Sequence, residues 1–218
     1  MFNIVYVNST QRNMENVKNV DKEQLRIYIC NPMRTGSTYL YNFIRECTPN
    51  QVYKYEQADY VPNKDFDRVI VPMRHPVAVL SSLADYFHKE HNETEIRDVY
   101  VRLLMEFSWA YQYLEQYPDI AYRFEYDYFI NNPLYLKERL TYDVGITVGD
   151  TEQFTNKYTI ENVKRMVETQ EDKNINLFQE NHISPLEGDS LKRIKRVRGL
   201  GLMYNELVEI SKKYGYEY

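Results

Sequence analysis

Residues 30–38 read Cys30-Asn31-Pro32-Met33-Arg34-Thr35-Gly36-Ser37-Thr38. The apolar run Ile27-Tyr28-Ile29 precedes them, and Tyr39-Leu40-Tyr41-Asn42-Phe43-Ile44 follows. A short β-branched run entering a glycine turn, then apolar residues at three-four spacing, predicts a strand, a tight turn and a helix. Glycine takes backbone angles closed to other residues and lets a ligand approach the main chain. The first turn of a helix offers free N–H groups and partial positive charge. Arg34 adds a permanent planar cation, and Thr35, Ser37 and Thr38 add hydroxyl donors. This joint has the chemistry of a site for a phosphate or sulfate group.

The pattern repeats downstream. Arg68-Val69-Ile70-Val71 is predicted as a strand with Pro72 at its end, where a missing donor costs least. His75-Pro76 then opens a helix. Arg74 stands just beyond the strand, and Ser82 follows eight residues later, about 12 Å along a helix. Further strands are predicted at 3–7, Gln51–Tyr55 and Asp119–Phe124. Helices are predicted at Glu93–Gln116, at Leu134–Leu140, from Thr159 onward, and over the closing stripe Leu200, Met203, Leu207, Ile210 and Tyr214. Short strands alternating with longer helices point to an α/β fold, three-layer α/β/α with a mostly parallel central sheet. Ligands of such sheets bind beyond the carboxyl ends of the strands, where both joints are predicted to lie.

The 218 residues are read as a single domain. The formal net charge of -5 argues against a broad nucleic-acid interface. Two cysteines make neither a disulfide framework nor a zinc site, and no metal is expected. No run approaches the ~20 apolar residues of a membrane helix, and the N-terminus lacks a basic start with an apolar stretch, so a cytoplasmic location is expected.

The loop is not the ATPase version, which requires G-x-x-x-x-G-K-[ST]. Asn31 stands where the first glycine would, and Ser37 follows Gly36 in place of lysine. A P-loop nucleoside or metabolite kinase is therefore the second reading, and a degenerate anion-binding or interaction module the third.

Three blocks together resemble the PAPS-dependent sulfotransferases of P-loop-type fold, in particular their bacterial and carbohydrate-acting branches. Residues 30–40 resemble that family's 5′-phosphosulfate loop, approximately P-[KR]-[ST]-G-[ST]-[ST]-[WY]-L, with Met33 as an extra residue. Met73-Arg74-His75-Pro76 through Ser82 resembles its 3′-phosphate motif. Tyr126-Asp127-Tyr128-Phe129, closed by Pro133, resembles its Tyr-Glu-Asp-Leu block. Asn31, Tyr39 and Asp127-Tyr128 depart from the family pattern.

The resemblance implies a P-loop NTPase-like sulfotransferase fold and transfer of a sulfuryl group from 3′-phosphoadenosine-5′-phosphosulfate (PAPS) to a hydroxyl or amine, leaving adenosine 3′,5′-bisphosphate. It implies that Arg34 lies near the transferring sulfate and that Thr35, Gly36, Ser37 and Thr38 hold the 5′-phosphate. Arg74 and Ser82 would hold the 3′-phosphate. Arg196, Arg198 and Gly199, within Lys192–Gly199, resemble a C-terminal segment that closes over that end. A general base is also required. Glu56 is preferred because related members use a carboxylate there, with His182 next. The acceptor is expected to be a small molecule or carbohydrate, and a homodimer would complete an open cleft.

Overall fold

The computed structural model describes residues 24–30, 32–54, 66–87, 93–169 and 200–216. Four strands form one sheet: β1 (Arg26–Ile29), β2 (Gln51–Lys54), β3 (Arg68–Met73) and β4 (Ala121–Glu125). Their spatial order is β2-β1-β3-β4, and every pairing is parallel. The helices are α1 (Ser37–Cys47), α2 (Pro76–Phe87), α3 (Glu93–Gln116), α4 (Tyr126–Phe129), α5 (Pro133–Tyr142), α6 (Glu152–Lys157), α7 (Ile160–Thr169) and α8 (Leu200–Lys213).

Strand alternation divides the core. Tyr28, Val69, Val71 and Met73 face Leu80, Leu103, Phe107 and Leu207, from α2, α3 and α8. Ile27, Ile29, Ile70 and Phe124 face Leu40, Phe43, Leu136 and Phe154, from α1, α5 and α6. Parallel strands buried on both faces read as near-continuous apolar runs, as Ile27-Tyr28-Ile29 and Val69-Ile70-Val71 do. The result is a three-layer α/β/α architecture around a parallel sheet.

After β1 the chain moves to one side to form β2, then returns across β1 to form β3 on the other side. The strand order therefore reverses between β1 and β3, and the crevice beyond their carboxyl ends is where such sheets bind ligands. The turns after these two strands carry Arg34 and Arg74.

Strand β3 runs one residue past Pro72, to Met73, and Pro72 pairs in register with Phe124. The parity of the ladder explains why this is tolerated. The Val69 N–H donates to Ile120 O on the β4 side, whereas Ile70 O accepts from Cys30 N–H on the β1 side. Pro72 has the parity of Ile70, so its missing donor faces the place where β1 has already ended. Strand β4 lies at Ala121–Glu125, slightly later than its predicted span, and α6 lies where no element was predicted. The predicted strand at 3–7 falls outside the described residues.

Three further features shape the β1–α1 turn. Arg34 (φ 62°) and Gly36 (φ 80°) are both left-handed. Phe129, fully buried, closes on the turn from α4. A Cβ added to Gly36 would lie 2.9 Å from Phe129 Cζ and 2.9 Å from Tyr126 Cδ2.

Removing the Phe129 ring leaves a cavity under this turn and against the Tyr39 ring, which lies 6.5 Å away centroid to centroid. Phe129→Ala is expected to cost about 3–5 kcal/mol of unfolding free energy, measured by urea denaturation. A loss below about 1 kcal/mol would show that the turn does not rest on this ring.

Candidate functional site

The site begins with the backbone. The αL conformation of Gly36 starts α1, and its carbonyl accepts the Tyr39 and Leu40 N–H groups at 3.0 and 3.2 Å. The helix therefore points its amino end at the rim of the crevice. No acidic residue stands in its first turn, so the local positive potential is not cancelled from within that turn. The buried Thr35 hydroxyl donates to Pro32 O at 2.7 Å and ties the loop to itself.

Arg34 turns toward α2. Its Nε donates to Ser82 Oγ at 3.1 Å, and its Nη2 donates to the Ser82 carbonyl at 3.2 Å. Arg74 Nη1 donates to the Arg34 carbonyl at 3.3 Å. The sequence reading placed Arg34 and Ser82 at opposite ends of an extended anion, whereas here the two side chains touch. Adjacency of β1 and β3 brings the start of α2 alongside the first loop, so two helical turns carry Ser82 back to Arg34. Arg74 also stacks on Tyr126, with its guanidinium carbon 4.1 Å from the ring centroid. Burial raises the Tyr126 phenol above its ordinary range, against the pull of Arg74 and Arg34. Arg74 Nε is buried and has no hydrogen-bond partner among the described residues, an unsatisfied charged donor beside the loop.

Two participants were not singled out from the sequence. Lys54, the last residue of β2, is buried, and its Nζ donates to Thr38 Oγ1 at 2.6 Å. Burial lowers its pKa from 10.5 to about 7. Its strand was predicted, but a lysine at a strand end ordinarily reads as solvent-facing. Glu106, on α3, is 2% exposed. Its Oε2 accepts the Met33 N–H at 2.7 Å, and its Oε1 accepts from Arg102 Nε at 2.6 Å. Its only sequence signal is a position one turn beyond Leu103, beside the buried stripe.

A second polar cluster sits at the tip of β4. Glu125 accepts from Arg123 Nε, and from Tyr216 OH at 3.1 Å. Tyr216 in turn lies 5.0 Å from the His75 ring. His75 Nδ1 accepts the Val77 N–H at 3.2 Å, which helps start α2.

The structure thus brings Arg34, Gly36, Arg74 and Ser82 to one crevice, with Thr35, Ser37 and Thr38 buried in the turn and the start of α1. Glu56, His182, Arg196, Arg198 and Gly199 lie outside the described residues. Among the described residues, no group of His, Cys, Asp and Glu is placed to hold a metal ion, and no helix is long and apolar enough to cross a membrane. No family model, curated protein or solved structure matches the chain.

The depressed Lys54 pKa has a definite sign. Between about 7 and 10.5 the unfolded chain binds the proton that folded Lys54 gives up. Stability therefore rises with pH across that window, and the full penalty for burying the charge applies below it. Lys54→Met should remove this dependence. Wild type is expected to gain stability relative to the variant as pH rises from about 7 to about 10, with a constant difference below. Urea unfolding across this range measures it, and parallel curves would show that Lys54 is charged throughout.

Proposed function

We propose that the chain is a sulfotransferase that moves a sulfuryl group from PAPS to a hydroxyl or amine acceptor. The reading rests on one observation above others: Arg34, Arg74 and Ser82 meet at the reversal point of the strand order, beside a left-handed glycine that opens α1. The donor set suits a nucleotide that carries anionic groups at two positions. It combines two permanent cations, the main-chain N–H groups of a helix start, and a buried guanidinium N–H without a described partner.

On this reading Arg34 and the amides around Gly36 hold the 5′-phosphate and oppose the charge that develops on it as the sulfuryl group leaves. Preorganised donors aimed at developing charge contribute about 3–4 kcal/mol in favourable sites. Arg74, whose plane the Tyr126 ring fixes, holds the 3′-phosphate, and Ser82 joins it only by giving up its hydrogen bond with Arg34. A carboxylate at Glu56 would take the acceptor's proton, with His182 as the other candidate. The finer assignment of the fold as a sulfotransferase fold, the cytoplasmic location and the acceptor class belong to the same proposal.

Lys54 favours one competing reading, a nucleoside or metabolite kinase. Such an enzyme needs a lysine near its phosphates, and Lys54 supplies an amine at Thr38 that the loop itself lacks. Against this, the tip of β3 carries Arg74, with no acidic residue from Met73 to His75 to hold magnesium.

Calorimetric titration separates the readings. Adenosine 3′,5′-bisphosphate is expected to bind wild type tightly, and far more tightly than ATP with magnesium or inorganic sulfate. Arg34→Ala and Arg74→Ala should each weaken it by roughly 10- to 100-fold, the effect of losing a hydrogen bond to a charged group. Tighter binding of ATP with magnesium would favour the kinase. Failure of folded protein to bind any nucleotide would overturn both and leave the interaction module.

A further inference from the structure

Glu106 has no place in the donor-binding scheme above, yet it is among the most buried charged groups described, at 2% exposure. A carboxylate taken out of water costs several kcal/mol unless it is paired and hydrogen-bonded. The α3 stripe on either side is apolar: Tyr100, Leu103, Phe107, Ala110 and Tyr113 are all buried in one core. A leucine or methionine at 106 would satisfy that packing at no electrostatic cost, so core formation alone does not call for a glutamate.

The two oxygens identify its contribution. One accepts from Arg102, which is itself 56% exposed and one helical turn away on the same helix. The other crosses from α3 to the β1–α1 loop and accepts the Met33 N–H at 2.7 Å. A charge-assisted bond to a backbone amide is among the stronger hydrogen bonds available. Met33 is the residue before Arg34, and Arg34 is a non-glycine residue at φ 62°. That left-handed conformation is strained for an L-residue, and such strain persists only where the surroundings over-determine it. Here three separate segments grip residues 33–34. Glu106 holds the preceding amide, Arg74 the Arg34 carbonyl, and Ser82 the guanidinium.

We propose that Glu106 is a positioning residue for the anion site: its grip on the Met33 N–H fixes the Pro32–Met33 peptide, one residue ahead of Arg34, and so helps set the course of the loop from which the Arg34 guanidinium projects. The inference rests on the reading of Arg34 as a donor-binding residue. It places the control of that arginine on α3, 73 residues from Met33 in sequence, and it assigns the negative charge at 106 to the main chain and not to the sulfuryl acceptor.

The test compares Glu106→Gln with Glu106→Met. Glutamine retains an acceptor for the Met33 N–H. Methionine keeps the volume and apolar fit but removes the acceptor. Arg102 is 56% exposed, so losing its partner strands no buried cation, but the Met33 N–H loses its acceptor, and Glu106→Met should melt somewhat below wild type while remaining folded at about 25 °C. Titration with adenosine 3′,5′-bisphosphate should nonetheless show Glu106→Met at least about tenfold weaker than wild type, since misplacing a binding group by about 1 Å has effects of that order or larger. Glu106→Gln should lie close to wild type. A purely structural role predicts instead that affinity follows melting temperature and that glutamine gives no rescue. Wild-type affinity in folded Glu106→Met, or equal weakening in both variants, would overturn the inference alone. If wild type itself fails to bind the bisphosphate, the donor reading falls and the inference falls with it.

Discussion

The left-handed turn at Arg34–Gly36 is the constraint on which the rest of the crevice depends. Two of three consecutive residues leave the right-handed region, and only one is glycine. This reversal lets the chain leave β1, pass across the rim and enter α1 with its amino end toward the carboxyl edge of the sheet. A turn of right-handed residues would send α1 elsewhere and the Arg34 side chain with it. The strain at Arg34 is offset by contacts from three directions, and the bare face of Gly36 is filled by Phe129 and Tyr126. The turn is therefore held by residues far away in the chain, from Arg74 to Phe129, and these contacts exist only in the assembled sheet and helical layers.

That dependence explains which features are legible in the sequence. Strand β1, helix α1, strand β3 and helix α3 announce themselves because burial on a sheet or helix face imposes a period: Leu40, Phe43 and Ile44 on α1, and Leu103, Phe107 and Ala110 on α3. Helix α6 does not, because six residues with one buried ring, Phe154, are too few to show a period. Arg34, Gly36, Arg74 and Ser82 were legible as candidates because they cluster locally beside strand ends. Their mutual contacts were not legible, because the Arg34–Ser82 pair exists only once β3 lies next to β1.

Lys54 and Glu106 were missed for a shared reason. Charged residues at a strand end and on an amphipathic helix ordinarily face water, and neither sequence context contradicts that default. Both are buried because the β1–α1 segment covers them. Lys54 lies under the first turn of α1 through Thr38, and Glu106 lies under the loop through Met33. Their burial is thus a tertiary consequence of the same turn.

The two buried charges divide the electrostatic work. The chain carries a net charge of -5, yet its crevice gathers Arg34, Arg74 and Lys54 around one helix start. Burial lowers the Lys54 pKa to about 7, so this residue changes charge near neutrality. Glu106 does not neutralise this cluster outright, because both its oxygens are engaged, one with Arg102 and one with a main-chain amide. On the proposed reading, an anion arriving at the start of α1 draws a proton back onto Lys54, and binding is linked to proton uptake above about pH 7.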